Sequence, residues 1–229
     1  MKEFISYHPG SMGNFIKLLI CSGIDGYTFE KSRLFYNNDI ISIINDNGEV
    51  IQYGGQSAFD LFLTNVFYKN FVDIWTEDSD NLIEPLSRIY CKYKKRESNI
   101  LDISGGHLHT SMYTKGSLDN TFKFMNCVGI NKVIFITINN NDELNVCKDY
   151  RKNKRPESND VHTIETHLEL NESLKTNLRK DDCILTVSTI FQKDKLKDFL
   201  LINIDNWSDT YFDIIYDSYM NLQDYTLKV

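Results

Sequence analysis

The chain alternates short apolar runs with stretches whose apolar residues recur at helical spacing, and polar segments separate them. Short runs rich in β-branched and aromatic residues are typical of buried strands. The clearest such run covers residues 132–138, and further strands are predicted over residues 3–7, 99–104 and 183–191. Helical spacing predicts helices after Gly13, over 57–71, from Pro85 through 93, and over 117–127, 143–152, 164–178, 195–202 and 210–222.

One region resists assignment from its pattern alone. Residues 40–44 are mostly apolar, a turn sequence follows at 45–48, and two apolar residues come next. This arrangement fits a β-hairpin, and it fits a short helix followed by a strand equally well.

The alternation of strands and helices predicts an α/β fold with a mainly parallel sheet, formed by a single domain over residues 1–229. In such folds ligands bind beyond the carboxyl ends of the strands. Three polar clusters follow predicted strands, at residues 8–14, 105–110 and 139–142. We therefore expect these clusters to converge at one edge of the sheet.

Charge and composition exclude several classes of function. The net charge of −7 disfavours broad nucleic-acid binding, although basic runs at 92–96 and 148–155 leave room for a local patch. No apolar run approaches the length of a membrane span, and the first residues lead into a strand rather than a signal peptide, so a cytoplasmic protein without membrane contact is expected. The five cysteines form no C-x-x-C pair, which indicates neither a zinc site nor a disulfide framework.

The segment after the first predicted strand has the composition of a phosphate-binding loop. Two glycines, a proline and a serine stand between the strand and the following helix. Glycines allow backbone N–H groups to converge on an anion at a helix N-terminus. Gly13 is followed by Asn14 and Phe15, however, so the lysine of nucleotide kinases is missing and a kinase is disfavoured.

This loop resembles the phosphosulfate-binding loop of sulfotransferases, and it is closer still to small sulfotransferase-like proteins of tailed bacteriophages, whose chains open on a His-Pro-Gly-Ser-x-Gly-Asn-Phe loop. The resemblance implies a three-layer P-loop fold, 3′-phosphoadenosine-5′-phosphosulfate as sulfuryl donor, no metal, and a location in the host cytoplasm. It implies donor binding by His8, Pro9, Gly10, Ser11, Met12, Gly13 and Asn14.

The same resemblance places a general base at the end of the second long strand, where either His107 or His109 matches. A near-neutral pKa suits imidazole for accepting a proton from the acceptor. Sulfotransferases also hold the 3′-phosphate with an arginine just after the central strand and a serine about two helical turns later. This chain has Asn139 or Asn140 and Cys147 at those places, and its first basic residues are Lys148, Arg151 and Lys152. Either that later basic cluster holds the 3′-phosphate or donor binding has been lost.

Two hypotheses follow. The first is a sulfotransferase that acts on a hydroxyl or amine of a small-molecule or saccharide acceptor. The second is a catalytically silent module of the same fold with a structural or partner-binding role. The sequence identifies neither the acceptor nor the oligomeric state.

Overall fold

The computed structural model describes residues 3–8, 10–24, 27–29, 41–45, 50–53, 80–94, 103–106, 118–154 and 163–223. These residues form an α/β fold. Its strands are β1 Glu3–Ser6, β2 Tyr27–Phe29, β3 Ile41–Asn45, β4 Val50–Tyr53, β5 Ile103–Gly106, β6 Lys132–Thr137 and β7 Cys183–Thr186. Its helices are α1 Gly13–Gly23, α2 Asp80–Lys94, α3 Leu118–Cys127, α4 Asn141–Lys154, α5 Ile164–Asn177, α6 Val187–Ile190, α7 Lys193–Asn203 and α8 Phe212–Gln223.

Four strands form a parallel sheet in the order β5-β1-β6-β7. The first strand therefore lies in the middle, with Ser6 opposite Gly106 on one side and Phe135 on the other. The other three strands form an antiparallel sheet in the order β2-β3-β4. The antiparallel pairing of β3 with β4 favours the strands of a β-hairpin over a helix and a strand in this region.

Strand periodicity divides the core into two clusters, one on each face of the parallel sheet. Ile134 and Ile136 of β6 belong to a cluster that includes α1, α7 and α8. Val133 and Phe135 belong to a second cluster that includes α2, α3 and α5. All six residues of β6 are buried, as a central parallel strand requires.

Helix α1, which follows the candidate loop, is held at its far end by Trp207. The indole Nε1 donates a hydrogen bond to the Leu19 carbonyl at 2.8 Å. A side chain on Gly23 would overlap the indole ring, so glycine allows this contact. Helix α1 is almost fully buried, so its start next to the loop is held firmly in place.

Two sequence predictions misplace the end of an element, one at a strand end and one at a helix start. The predicted strand 183–191 stops at Thr186, whose hydroxyl caps the short helix α6 by accepting from the Thr189 N–H. The helix predicted to open at Pro85 begins at Asp80 instead. Ile83 and Leu86 are both buried, so the apolar stripe of α2 continues through the proline toward the helix start.

The strand predicted over 99–104 continues past its predicted end, and its residues 99–102 lie outside the described residues. The structure places β5 at Ile103–Gly106, so the glycines that were predicted to end the strand belong to it. Their pairing with Ile5 and Ser6 of β1 explains the difference, because a neighbouring strand supplies hydrogen bonds that local propensity does not anticipate. The helix predicted over 57–71 lies outside the described residues.

The remaining predicted elements are confirmed to within a few residues. Within the described part of the chain, no helix has both the length and the apolar character needed to cross a membrane. No cluster of three or more histidine, cysteine, aspartate or glutamate side chains suited to a metal ion occurs among those residues either.

Candidate functional site

The chain leaves β1 at Ser6 and enters α1 at Gly13, and the loop between them lies at the carboxyl edge of the parallel sheet. The His8 carbonyl organises this loop. It accepts hydrogen bonds from the Ser11 N–H at 3.0 Å and from the Ser11 hydroxyl at 2.6 Å. Gly10 and Met12 adopt positive φ angles of 93° and 62°. The loop is therefore a tight turn with two left-handed residues, and glycine suits the first of them.

The N-terminus of α1 has an unusual cap. Met12 occupies the N-cap position in the left-handed conformation, and its side chain forms no capping hydrogen bond. Asparagine, aspartate, serine or threonine normally satisfies a first-turn N–H at this position. The first turn of α1 contains no acidic residue. The helix start thus has the backbone donors and the positive end of the helix dipole that favour an anion.

The two loop glycines make close contacts inside the protein. A Cβ on Gly10 would overlap the backbone carbonyl of Cys147, and one on Gly13 would overlap the ring of Tyr7. The Tyr7 hydroxyl in turn donates to Asn14 Oδ1 at 3.1 Å. Both glycines are therefore required for packing, Gly10 against α4 and Gly13 against the Tyr7 ring, whatever the loop binds.

The second strand end at this edge, where β6 leads into α4, is held by a buried carboxylate. Glu143 is only 1% exposed, and its Oε2 accepts from the Asn139 N–H at 2.6 Å. Its Oε1 accepts from the Ser188 N–H at 3.0 Å, and its own N–H donates to Asn140 Oδ1 at 2.9 Å. Glu143 thus ties the start of α4 to the short helix after β7. The sequence predicted a polar cluster at 139–142 and a helix over 143–152, without singling out Glu143.

The structure packs α4, the helix that carries the predicted basic residues, against the first loop. Cys147 contacts Gly10 through its carbonyl, and Lys148 is the next residue. Lys148 is partly exposed. Arg151 lies in the same helix one turn further on. Asn139, predicted to bind the donor, uses its side-chain oxygen to accept from Asn171 Nδ2 at 2.8 Å.

Three predicted residues, Pro9, His107 and His109, lie outside the described residues. The strand that precedes the two histidines does reach the expected edge, because Gly106 pairs with Ser6 of β1. Of the three polar clusters, the structure places 139–142 beside the first loop and the beginning of 105–110 on its other side.

A small cavity lies behind the loop, between β1, β6 and α5. Its volume is about 20 Å³, and its polar lining includes His8, Thr137, His167 and Asn171. The His8 and His167 rings meet edge to face, with centroids 4.7 Å apart. Sequence analysis named His8 alone. The spacing of His167 and Asn171, four residues apart on a predicted helix, was the available signal, because such residues share one helix face.

Comparisons of the chain with models of protein families, with curated proteins and with solved structures found no match. The resemblance to sulfotransferases therefore depends on the residues of the first loop.

Proposed function

We propose that the chain is a sulfotransferase-like P-loop protein that binds the phosphosulfate of 3′-phosphoadenosine-5′-phosphosulfate at residues 8–14 and transfers the sulfuryl group to a hydroxyl or amine acceptor. The observation that carries the proposal is the start of α1. It stands at the carboxyl edge of a parallel sheet, after the central strand β1, and has neither a capping side chain nor an acidic first turn. An anion is the natural partner of such a helix start.

The residues of the site fit an anionic nucleotide in two respects. Backbone N–H groups at Gly13 and Asn14 would face a phosphate or sulfate at the helix start, where they stabilise charge that develops during transfer. Lys148 and Arg151 on the neighbouring α4 would hold a second phosphate. The donor, when bound, supplies the sulfuryl group, and in this proposal His107 or His109 accepts the proton from the acceptor.

One observation favours a second candidate, a catalytically silent module that retains the loop for packing. The Ser11 side chain is fully buried and its hydroxyl is bonded to His8. Gly10 and Gly13 are both required by contacts within the protein. These features account for the glycines and the serine of the loop without a ligand.

The exposed Asn14 offers a test that separates binding from folding. In Asn14→Asp the new carboxylate keeps the oxygen that accepts from Tyr7, and it favours the helix dipole, so stability should rise by about 0.3–1 kcal/mol. The same charge would repel an anion at the helix start. The matched control is Asn131→Asp, an exposed substitution immediately before β6, at the edge of the sheet opposite the loop.

We would titrate the three proteins calorimetrically with 3′-phosphoadenosine 5′-phosphate and, for comparison, with ATP. The proposal predicts that the unmodified chain binds the bisphosphate more tightly than ATP. Binding of the bisphosphate should be at least tenfold weaker in Asn14→Asp and unchanged in Asn131→Asp. The absence of binding in a folded protein would favour the silent module. If binding is found, loss of sulfuryl transfer in His107→Ala or His109→Ala, with nucleotide affinity retained, would identify the base.

A further inference from the structure

The cavity behind the loop contains two buried oxygen atoms that the protein does not satisfy. Thr137 is 4% exposed and Asn171 is 5% exposed. Within the described part of the chain, neither Thr137 Oγ1 nor Asn171 Oδ1 has a hydrogen-bond partner. Both residues line the same cavity. Buried polar groups in native proteins are nearly always hydrogen-bonded, so two such oxygens around one space indicate a missing partner.

The orientation of the Asn171 amide is fixed by its surroundings. Its Nδ2 donates to the backbone carbonyl of Ile138 at 2.9 Å and to Asn139 Oδ1 at 2.8 Å. A backbone carbonyl accepts hydrogen bonds and cannot donate them, so the nitrogen must be on that side. The amide oxygen is therefore the atom on the remaining side, and it can only accept. The partner that it lacks must be a donor.

The size and lining of the cavity narrow the identity of this donor. A volume of about 20 Å³ is sufficient for a water molecule. Apolar side chains of β6 and α5, among them Phe135, Leu170 and Leu174, form much of the remaining wall. A water molecule has two protons to donate, which matches one bond to Asn171 Oδ1 and one to Thr137 Oγ1.

We propose that this cavity is a binding site for a single buried water molecule that bridges Thr137 Oγ1 at the end of β6 and Asn171 Oδ1 on α5. Through the amide of Asn171 the same network reaches Ile138 and Asn139, which follow β6. The water would thereby link α5 to the strand end that lies beside the first loop. This inference is independent of the proposed transferase function, because it depends only on the two oxygens and the space between them.

Thr137→Val distinguishes a hydrated from a dry cavity, because it should change the melting temperature in opposite directions in the two cases. Valine has the shape of threonine but lacks the hydroxyl. If water bridges the two oxygens, the substitution removes a hydrogen bond and should lower the melting temperature by about 3 °C or more. If the cavity is dry, the substitution replaces an unsatisfied hydroxyl by a methyl group and should raise the melting temperature. Thr137→Ser, which keeps the hydroxyl, is the matched control.

The water itself is observed in high-resolution crystal structures of the unmodified chain and of both variants. The expected result is one ordered peak within hydrogen-bonding distance of both oxygens in the unmodified chain and in Thr137→Ser, and none in Thr137→Val. Magnetic relaxation dispersion of water should show one long-lived molecule fewer in Thr137→Val. A cavity without density in the unmodified chain would overturn the proposal, and so would an unchanged or higher melting temperature for Thr137→Val.

Discussion

Gly10 in the first loop stands directly against the backbone carbonyl of Cys147 in α4, so closely that any side chain at position 10 would overlap it. The contact joins two segments that are far apart in sequence, and it lies at the carboxyl edge of the parallel sheet. It places the residues that precede α1 beside the helix that carries Lys148. The contribution of this contact to the stability of the protein can therefore be measured without a ligand.

Gly10→Ala should destabilise the protein by at least about 2 kcal/mol, because alanine would meet both an unfavourable positive φ and the Cys147 carbonyl. Gly129→Ala is the control for the backbone term, since Gly129 also has a positive φ, 77°, after the end of α3. Gly129→Ala should lower the free energy of unfolding by about 1 kcal/mol. Urea unfolding measures the stability of both variants. Equal decreases in the free energy of unfolding would show that the overlap with Cys147 is relieved without cost.

Glu143→Gln should cost about 1–3 kcal/mol, because the amide would turn an N–H toward one of two backbone N–H groups, those of Asn139 and Ser188, that now donate to the carboxylate. Glu169→Gln on the exposed surface of α5 is the matched control and should change stability by less than about 0.5 kcal/mol. Denaturant unfolding compares the two. A Glu143→Gln protein as stable as the control would contradict a bracing role for this carboxylate.

Arg179→Met should destabilise the protein by about 3 kcal/mol, because it leaves the fully buried Asp182 carboxylate without its charged partner. The guanidinium now donates to that carboxylate at 2.8 Å through both Nε and an Nη atom, and the carboxylate also accepts from the Val133 N–H. The effect should change little in 0.5 M salt, since the acidic partner is not exposed to solvent.

The comparison for this pair is Lys175→Met, which removes a salt bridge between two exposed side chains, Lys175 and Glu172. Lys175→Met should lower the free energy of unfolding by about 0.5 kcal/mol or less, and this decrease should become smaller in salt. Thermal unfolding at two salt concentrations measures both variants. Equal, salt-sensitive losses would show that Arg179 acts as an ordinary surface charge.

Tyr216 should make the protein sensitive to alkaline pH. Burial raises the pKa of its hydroxyl from 10.0 to about 12, with smaller opposing and reinforcing effects of Lys193 and Asp217. The neutral hydroxyl donates to the Ile190 carbonyl at 3.0 Å. Because the folded-state pKa lies above the unfolded value, the stabilising contribution is fully present below about pH 10 and is lost as the pH rises toward 12.

Tyr216→Phe should therefore be less stable than the unmodified chain by about 1 kcal/mol at pH 8, and this difference should shrink between pH 10 and 12. Unfolding free energies at several pH values give the comparison, with Tyr211→Phe, a partly buried tyrosine on the same segment, as the control. A difference between Tyr216→Phe and the unmodified chain that is constant with pH would refute the shifted pKa.

Local patterning was sufficient for most of the individual elements. The run of β-branched and aromatic residues at 132–138 predicted β6, and helical spacing over 117–127 predicted α3. Such features depend on neighbours in the chain, so they can be read without knowing the fold. The errors at Thr186 and Pro85 arose where a hydroxyl cap or a buried stripe outweighed the usual meaning of the residue type.

The parallel arrangement was anticipated from the order of elements, but the pairing of strands was not. The position of β1 between β5 and β6 is what sets residues 8–14 beside Asn139. The contact of Gly10 with Cys147, the bonds of Glu143 to Asn139 and Ser188, and the cavity between His8 and Asn171 all join residues distant in sequence. Periodicity shows which face of an element is buried; which other face it meets depends on packing among several elements at once. For that reason the composition of the first loop and its resemblance to sulfotransferases could be seen in the sequence, while the packing of its glycines and the polar cavity behind it became visible in the folded chain alone.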